Sequence, residues 1–313
     1  MRYCIGIDLG GTNIAGGIAD LDGKLLLTDS IKTGLPCPAS DIADRIALLC
    51  RRMATALGLA LSDAAWVGIG APGSVDVDTG TVLYANNLEF DNVPLGQMIH
   101  ERTGLPVYVD NDANVAAWGE YCAGAGKGSS SMVMVTLGTG VGGGVIVNGK
   151  VIDGTHGAGG EIGHITVDRH ETAACGCGKH GCLEQYSSAT GVVRCMKKLL
   201  DENPDTPCTL RGTDFAAKDV FDAARAGDAL AAREVDEMTD ILGMALASIA
   251  STTDPEMFMV GGGVARAGDV LFNPLREHFK TYAFSSCRET PIVAATLGND
   301  AGIYGAVRLI VGE

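Results

Sequence analysis

The chain has no apolar run long enough to cross a bilayer. Its longest helix-like apolar stretch, residues 241–250, has ten residues and contains Gly and Ser, whereas a membrane-spanning helix needs roughly 20 apolar residues. A signal peptide is not expected either, because Asp8 follows the short apolar segment 1–7 at a point where such a peptide would still need apolar residues. We therefore expect a soluble, cytoplasmic protein that has no membrane partner.

Cationic residues are also scarce. Lys and Arg together number 23 against 38 Asp and Glu, so the formal net charge is −15. A nucleic-acid-binding surface needs an excess of cations to neutralise backbone phosphates, and this composition therefore predicts that nucleic acid is not a partner. A small anionic ligand stays compatible with the charge, because backbone N–H groups can bind it locally.

A disulfide framework is the third feature that we expect to be missing. The chain has ten cysteines, but a cytosolic protein of 313 residues rarely uses them as disulfides. Seven are scattered and are interpreted as small buried apolar residues. The other three lie close together, at Cys175, Cys177 and Cys182, and need a separate explanation.

Glycine, by contrast, is abundant and clustered. The 44 glycines are about twice the usual share, and such clusters mark tight turns and places where the backbone approaches a ligand closely. Each half of the chain opens with a predicted strand, a glycine turn, a second strand and a hairpin signal. These segments are residues 3–9, 10–13, 14–19 and 22–23, and then residues 131–136, 138–140, 141–147 and 148–149. The repeat predicts two α/β domains facing each other across a cleft, an arrangement that resembles the fold shared by actin and sugar kinases.

The two glycine turns are candidate phosphate-binding loops. Backbone N–H groups in such a turn can cradle phosphate oxygens, the Thr12 hydroxyl adds a donor, and Asp8 could orient a hydrated Mg²⁺. Residues 137–144 offer the same devices in the second half, although a plain hairpin or a glycine-rich corner is the alternative for either turn. Neither a Walker A loop nor a dinucleotide fingerprint fits the first turn, because no Gly-Lys-Ser/Thr follows and the next element is a strand.

Acidic and amide side chains lie between a predicted strand and a predicted helix at residues 110–114. Phosphoryl transfer to a hydroxyl group needs one carboxylate to accept the hydroxyl proton, and Asp110 or Asp112 could supply it. Asp and Asn are also ordinary helix N-caps. The position alone therefore leaves a catalytic and a structural interpretation open.

The three clustered cysteines predict a metal site. Sulfurs at Cys175, Cys177 and Cys182, with His164 eleven residues upstream of the first, fit a tetrahedral Cys₃His zinc site. The glycines between them let a short loop fold around one ion. Unpaired thiols are the alternative, and a redox pair fits less well because the spacing is Cys-x-Cys. Three further histidines are rival fourth ligands by spacing alone: His156, His170 and His180.

These segments together resemble the ROK family (repressors, open reading frames and sugar kinases). The resemblance runs essentially from end to end and includes residues 8–13, 111–112, 160–164 and 261–263, with the specific string Cys-Gly-Cys-Gly-x-x-Gly-Cys-x-Glu at 175–184. It implies an α/β, two-domain, actin-like (ribonuclease H-like) kinase fold with an interdomain cleft. The implied domains are a small one, residues 1–120 completed by a C-terminal helix at about 298–313, and a large one, residues 121–297, that carries the zinc loop and dimerisation helices.

The resemblance also implies a role for each motif residue. Asp112 would be the general base that activates a sugar hydroxyl. The implied sugar-binding residues are Gly73, Asn87, Asn111, Asp112, Glu161, His164 and Glu184, and the implied ligands of a structural Zn²⁺ are His164, Cys175, Cys177 and Cys182. The implied nucleotide-binding residues are Asp8, Gly10, Gly11, Thr12, Asn13, Gly138, Thr139, Gly140, Gly262 and Gly263.

Two features narrow the resemblance within the family. Repressor members carry a helix-turn-helix before the first glycine loop, whereas that loop begins here at residue 8, so we expect no DNA-reading domain. The string at residues 184–191 resembles bacterial glucokinases. This implies phosphorylation of glucose by ATP with Mg²⁺, in a homodimer or homotetramer. The rival interpretations are another substrate (mannose, N-acetylglucosamine, N-acetylmannosamine or allose), polyphosphate as donor, or a non-catalytic sugar-sensing protein.

Overall fold

The computed structural model describes residues 1–309, which fall into two compact units. The first unit comprises residues 1–128, residues 144–160 and the chain from Thr296 onward, and the second comprises residues 129–143 and 161–295. The predicted domain boundaries, 1–120 with 298–313 and then 121–297, stay a prediction. The part of the predicted C-terminal helix at 310–313 lies outside the described residues.

The described chain contains both strands and helices. The strands are β1 (Tyr3–Leu9), β2 (Asn13–Asp20), β3 (Leu25–Lys32), β4 (Ala64–Ala71), β5 (Ser74–Asp76), β6 (Thr81–Ala85), β7 (Phe90–Val93), β8 (Val107–Asn111), β9 (Met132–Leu137), β10 (Val141–Val147), β11 (Lys150–Val151), β12 (Met257–Gly261) and β13 (Ile292–Ala294). The helices are α1 (Ala39–Ala56), α2 (Leu95–Thr103), α3 (Asp112–Ala123), α4 (Glu184–Ser187), α5 (Ala189–Glu202), α6 (Ala217–Arg225), α7 (Ala229–Thr253), α8 (Asp269–Tyr282) and α9 (Ala301–Ala306). Within residues 1–309, no helix is both long enough and apolar enough to span a membrane.

Two five-stranded sheets repeat one topology. The first has the order β3-β2-β1-β4-β8 and the second the order β11-β10-β9-β12-β13. In the first sheet β1 pairs antiparallel with β2 and parallel with β4, and β4 pairs parallel with β8. In the second, β12 runs parallel to both β9 and β13. The internal repeat predicted from the two glycine turns is therefore confirmed.

A third sheet, made of β5, β6 and β7, was not predicted. Its strands pair antiparallel and have three to five residues each. Strands of this length give too few alternations for a period of two to be recognised in a sequence.

The core of the first unit forms between the first sheet and α1. Apolar side chains of β1 are fully buried, as Ile5 and Ile7 show. Helix α1 buries Ile42, Ile46 and Leu49, which lie on one face because three or four residues separate them. Burying such side chains removes apolar surface from water, which is the main force that holds this layer to the sheet.

Helix α9 packs on the first sheet and on α3 through backbone contacts. A Cβ atom added at Gly305 would lie 1.7 Å from the carbonyl oxygen of Val115, and one added at Gly68 would lie 1.9 Å from that of Ala306. No side chain larger than hydrogen fits at either position. Glycine is therefore required here by close approach of the backbones.

A buried carboxylate holds the chain where it returns to the first unit. Glu120, which is fully buried near the end of α3, accepts hydrogen bonds from the N–H groups of Thr296 (2.8 Å), Leu297 (2.6 Å) and Ala125 (3.0 Å). Bonds of this kind satisfy a buried charge that would otherwise be costly. They fix the segment that leads into α9.

We expect Gly305→Ala to destabilise the protein by about 3 kcal/mol or more, because the new methyl group would overlap a backbone oxygen that cannot move without displacing α3. Thermal unfolding followed by circular dichroism measures the effect. Gly263→Ala is the matched control, since a Cβ atom there meets nothing within 4 Å. Equal melting temperatures for the two variants would contradict the prediction.

Candidate functional site

The carboxyl ends of three parallel strands gather polar residues at one edge of the first sheet. In the register of β1, β4 and β8, Asp8 lies opposite Gly70 and Gly70 lies opposite Asp110. Asn111 and Asp112 follow directly at the start of α3. Ligands of open α/β sheets bind at this edge, so the first unit places its predicted loop, base and sugar residues where a ligand site is expected.

Asn111 is the N-cap of α3, and both the oxygen and the nitrogen of its side-chain amide form hydrogen bonds. Its Oδ1 accepts hydrogen bonds from the N–H groups of Ala113 (2.9 Å) and Asn114 (3.1 Å), and its Nδ2 donates to the carbonyl oxygen of Gly73 (2.8 Å). The cap interpretation is therefore right for this residue. The same side chain also fixes Gly73, whose φ of 90° and closeness to the carbonyl oxygen of Tyr84 exclude a side chain.

Asp112 is the first residue of α3 and is half-buried. Its Oδ1 accepts a hydrogen bond from the N–H of Ala113 at 2.8 Å. The positive end of a helix dipole stabilises a carboxylate at this position.

Asp110 lies behind Asp112 in a buried network. Its carboxylate, 8% exposed, accepts hydrogen bonds from the N–H of Asn111 (2.6 Å) and from Nδ2 of Asn114 (3.3 Å), which also donates to Asp153 (3.1 Å). Burial, and after it the charge of Asp153, raises the pKa of Asp110 to about 7. Sequence reasoning missed Asp153, because nothing in the chain pattern links residues 110 and 153.

The first glycine loop joins β1 to β2. The N–H of Gly10 donates to the carbonyl oxygen of Asn13 at 3.0 Å, and Thr12 and Asn13 are exposed. Asn87 is its neighbour, since a Cβ atom at Gly11 would lie 3.9 Å from Nδ2 of Asn87. A predicted sugar residue thus lies beside a predicted phosphate loop within this unit.

Asp8 comes just before this loop, at the end of β1. Its carboxylate packs against the backbone of α9, because a Cβ atom at Gly302 would lie 2.9 Å from Cγ of Asp8. Burial raises the pKa of Asp8. A nearby cation would offset that effect and favour the ionised form.

The second glycine loop, between β9 and β10, is also closed by an internal backbone bond, which is one residue shorter in span. The N–H of Gly138 donates to the carbonyl oxygen of Gly140 at 3.0 Å, and Thr139 is exposed. The turn that follows β12 lies alongside, because β12 and β9 are parallel neighbours. Gly262, with a φ of 84°, packs on the backbone of Leu137, and Gly263 is exposed beside it.

Glu184 connects the second glycine loop with the cysteine cluster. Its Oε2 accepts a hydrogen bond from the N–H of Val141 at 3.0 Å, and a Cβ atom at Gly140 would lie 2.2 Å from that oxygen. Its Oε1 lies 3.7 Å from Sγ of Cys175. A residue predicted to bind sugar therefore contacts both the predicted nucleotide loop and the predicted metal ligands.

Four side chains converge as a metal-binding site would require. The ligand atoms of His164, Cys175, Cys177 and Cys182 all lie within 4.8 Å of one another. Nδ1 of His164 is 3.8 Å from Sγ of Cys175, and the sulfurs of Cys177 and Cys182 are 3.6 Å apart. Tetrahedral zinc with bonds of about 2.3 Å to sulfur separates its ligand atoms by about 3.8 Å, so these residues fit zinc.

His164 is thus the histidine that joins the three sulfurs, and its rivals do not. Among the described residues, His156, His170 and His180 are outside the cluster. The other ring nitrogen of His164, Nε2, lies 3.9 Å from a carboxylate oxygen of Glu161. Glu161 and His164 therefore lie next to each other, as their predicted common role requires.

A hydrogen-bonded network braces the outside of the cysteine loop. The hydroxyl of Tyr186 lies 2.9 Å from Asp168 and 3.0 Å from Glu171, and Arg194 pairs with Glu171 at 2.8 Å. Gln185 accepts a hydrogen bond from the N–H of Cys182 at 3.0 Å. Backbone N–H donation, with help from Arg194, lowers the pKa of Glu171 to about 2. Sequence reasoning noted residues 184–191 as a string but missed this bracing role.

Each unit thus collects part of the predicted set. The first unit brings together Asp8, Gly10, Gly11, Thr12, Asn13, Gly73, Asn87, Asn111 and Asp112 at the edge of the first sheet. The second unit brings together Gly138, Thr139, Gly140, Glu161, His164, Cys175, Cys177, Cys182, Glu184, Gly262 and Gly263. The roles of these residues stay predictions.

Comparison with known proteins gives matches over the whole chain. The model of the ROK family matches residues 4–313. A glucokinase from Halalkalibacterium halodurans is 41% identical over 99% of this chain and 95% of that protein, and one from Thermotoga maritima is 39% identical over 98% and 96%. The crystal structure of a ROK family glucokinase from Streptomyces griseus in complex with glucose and AMPPNP is 38% identical, with a TM-score of 0.80 over 98% of both chains. The predicted family and the predicted fold class are both confirmed.

The buried network predicts a pH-dependent effect of Asp110→Asn. The raised pKa of Asp110 means that the neutral form stabilises the fold fully below about pH 4 and that this contribution is lost as the pH rises through about 7. We expect Asp110→Asn to raise the melting temperature by roughly 3 °C at pH 8.5 and by about half as much at pH 5.5, which lies midway between the unfolded and folded pKa values. Thermal melts at the two pH values measure this.

Asp205→Asn, which changes an exposed carboxylate, is the control for the loss of one charge. An Asp110→Asn variant whose melting temperature differs from that of the wild type by the same amount at both pH values would show that Asp110 is not the titrating group.

Proposed function

Because this chain belongs to the ROK family, we propose that it transfers the terminal phosphate of ATP to glucose, giving glucose 6-phosphate and ADP. The observation that carries the proposal is the position of Asp112. It begins α3 at the sheet edge where β1, β4 and β8 all end, in the same unit as the first glycine loop. The full-length similarity to proteins named glucokinase supports glucose as the sugar.

Asp112 is the general base of this reaction. Phosphoryl transfer to an alcohol is achieved largely by positioning and by neutralising charge, with one carboxylate to take the hydroxyl proton. Asp112 lies at the positive end of the α3 dipole, which stabilises a carboxylate, and the cap bonds of Asn111 fix the turn from which Asp112 projects. Asn111, Gly73 and Asn87 hold the side of the sugar that carries the reacting hydroxyl.

The nucleotide is bound by backbone groups of the two glycine loops. Residues 10–13 and 138–140 face its phosphates, and Gly262 and Gly263 face the adenosine. Asp8 would hold a hydrated Mg²⁺, which supplies positive charge to neutralise the phosphates. Since these contacts are local, the overall charge of −15 does not oppose them.

The remaining sugar contacts come from the braced cysteine loop. Glu161, His164 and Glu184 bind the O1 to O3 edge of the sugar. Structural Zn²⁺, held by His164, Cys175, Cys177 and Cys182, would fix this loop, and His164 can serve both the metal and the sugar with its two ring nitrogens. Carboxylates that discriminate between sugar hydroxyls have to be placed within a fraction of an ångström, which a metal-fixed loop provides.

We also propose how water is excluded during the reaction, where the protein acts and how it assembles. Bound sugar excludes water from the reacting phosphate, which suppresses hydrolysis of ATP. The protein acts in the cytoplasm as a homodimer or homotetramer, with ATP rather than polyphosphate as its donor.

A coupled assay over a panel of hexoses tests the proposed substrate. We expect kcat/KM with ATP to be highest for glucose, above mannose, allose, N-acetylglucosamine and N-acetylmannosamine. Polyphosphate replaces ATP in a parallel series. A higher value for another sugar, or turnover with polyphosphate alone, would reject this assignment, and absence of ADP release with every sugar would leave a binding protein.

Replacing Asp112 separates chemistry from binding. We expect Asp112→Asn to lower kcat by about 10³-fold, as loss of a general base does, while the affinity for glucose changes by less than about tenfold. Single-turnover kinetics and calorimetric titration with glucose measure the two effects. Asp41→Asn is the matched control, because Asp41 is also a half-buried acid in the first turn of a helix. A kcat close to that of the wild type would refute the base assignment.

Removing the metal should weaken sugar binding more than nucleotide binding. We expect one zinc per chain in the purified protein, and we expect Cys177→Ser to lose it and to weaken glucose binding by at least about tenfold, because the loop that carries the sugar contacts loses its anchor. Elemental analysis and titrations with glucose and with ADP measure these effects. Cys208→Ser, outside the cluster, is the control. Wild-type protein without zinc would reject the metal site.

A further inference from the structure

The first glycine loop is tied back by a threonine from outside it. Oγ1 of Thr33 donates to the carbonyl oxygen of Gly10 at 2.6 Å, and the N–H of Thr33 donates to the carbonyl oxygen of Thr12 at 3.0 Å. Thr33 is fully buried, and its own carbonyl oxygen accepts a hydrogen bond from the guanidinium of Arg45. Every polar group of Thr33 is therefore engaged, and two of them hold the loop.

The second glycine loop is tied back in the same way. Oγ1 of Thr190 donates to the carbonyl oxygen of Thr139 at 2.7 Å. The N–H of Ala189 donates to the carbonyl oxygen of Gly138 at 2.8 Å. Both donors belong to the first turn of α5, directly after the segment that carries Glu184. Two loops in the two halves of the repeat thus use a threonine hydroxyl for the same purpose.

These bonds determine where the loop N–H groups point. A trans peptide unit is planar, with its C=O and N–H on opposite sides, so fixing one direction fixes the other. The bond to the Gly10 carbonyl orients the N–H of Gly11. The bonds to the carbonyls of Gly138 and Thr139 orient the N–H groups of Thr139 and Gly140.

The oriented N–H groups are unpaired in the part of the chain that the structure describes. Within residues 1–309, those of Gly11, Thr139 and Gly140 donate to no other atom. Donors that point the same way from a glycine turn form a binding site for anions. Glycine peptides rotate readily, and a peptide rotated by half a turn would present its carbonyl oxygen to the phosphate and repel it. Fixing the peptide in advance therefore lowers the entropy that is lost when phosphate binds.

We propose that Thr33 and Thr190 are positioning residues for the nucleotide, because their hydroxyls hold the Gly10 and Thr139 peptides with their N–H groups turned toward the phosphates. The inference rests on the proposed function, since it takes the nucleotide to be bound by the two loops.

Valine in place of each threonine tests the inference, because it keeps the shape and removes the hydroxyl. We expect Thr190→Val to raise the KM for ATP and the dissociation constant of Mg·ADP about five- to tenfold, as loss of one hydrogen bond does. The KM for glucose should stay within about twofold. Thr190→Ser, which restores the donor, should return both nucleotide constants to the wild-type range.

Thr190 is exposed, so its valine variant should fold normally, whereas Thr33→Val repeats the test at a buried site. Thr252→Val is the matched control, since Thr252 is also exposed and also donates to a backbone carbonyl, within α7. A Thr190→Val variant that binds Mg·ADP as tightly as the wild type would overturn the inference. That result would not contradict the proposed glucose kinase activity. Equal weakening by Thr252→Val would overturn it as well.

Failure of the proposed function gives a different result. Wild-type protein that phosphorylates no hexose with ATP would reject that function, and the titrations with Mg·ADP would still decide on the loops. Weakened binding in Thr190→Val, restored in Thr190→Ser, would support the positioning role without turnover. Unweakened binding would reject it.

Discussion

The parallel pairing of β1 with β4, and of β9 with β12, is the constraint on which the candidate site depends. Parallel strands end at the same edge of a sheet, so the residues that follow them meet even when they are far apart in sequence. In the first unit this pairing brings the segments after Leu9, Ala71 and Asn111 to one edge. In the second unit it places the turn after Gly261 beside the loop after Leu137. The strand register therefore sets where both glycine loops lie, whereas the cysteine cluster is formed outside these strands.

Much of this arrangement could be predicted because its signals are local. Tyr3–Leu9 and Val141–Val147 have the predicted bounds, since apolar runs between glycine turns define strands well. The cysteine spacing indicated a cluster, because three sulfurs within a short glycine-rich loop have to lie close together in space. The actin-like architecture followed from the repeat and from the resemblance to the family.

The contacts that the sequence did not reveal are those that join distant segments through single side chains. Asp153 meets Asp110 only through Asn114, and Thr190 meets the second glycine loop from the start of α5. No periodicity or spacing records such a meeting. The short strands β5 to β7 were missed for a related reason, since a strand of three residues has no visible period. The choice of His164 over its three rivals likewise needed the fold, because spacing along the chain does not fix distance in space.

The backbone packing of α9 has a consequence for the order in which the chain can fold during synthesis. Its glycine contacts cover β1, β4 and α3 with a helix that is made only after the whole second unit. While the ribosome is adding residues 129–295, this face of the first sheet has no cover from α9, and its apolar surface is open to water or to a chaperone. From residue 161 to residue 295 the second unit is continuous in the sequence. It can therefore fold completely before α9 is made. The first unit, whose sheet is made before the second unit, is thus completed after it.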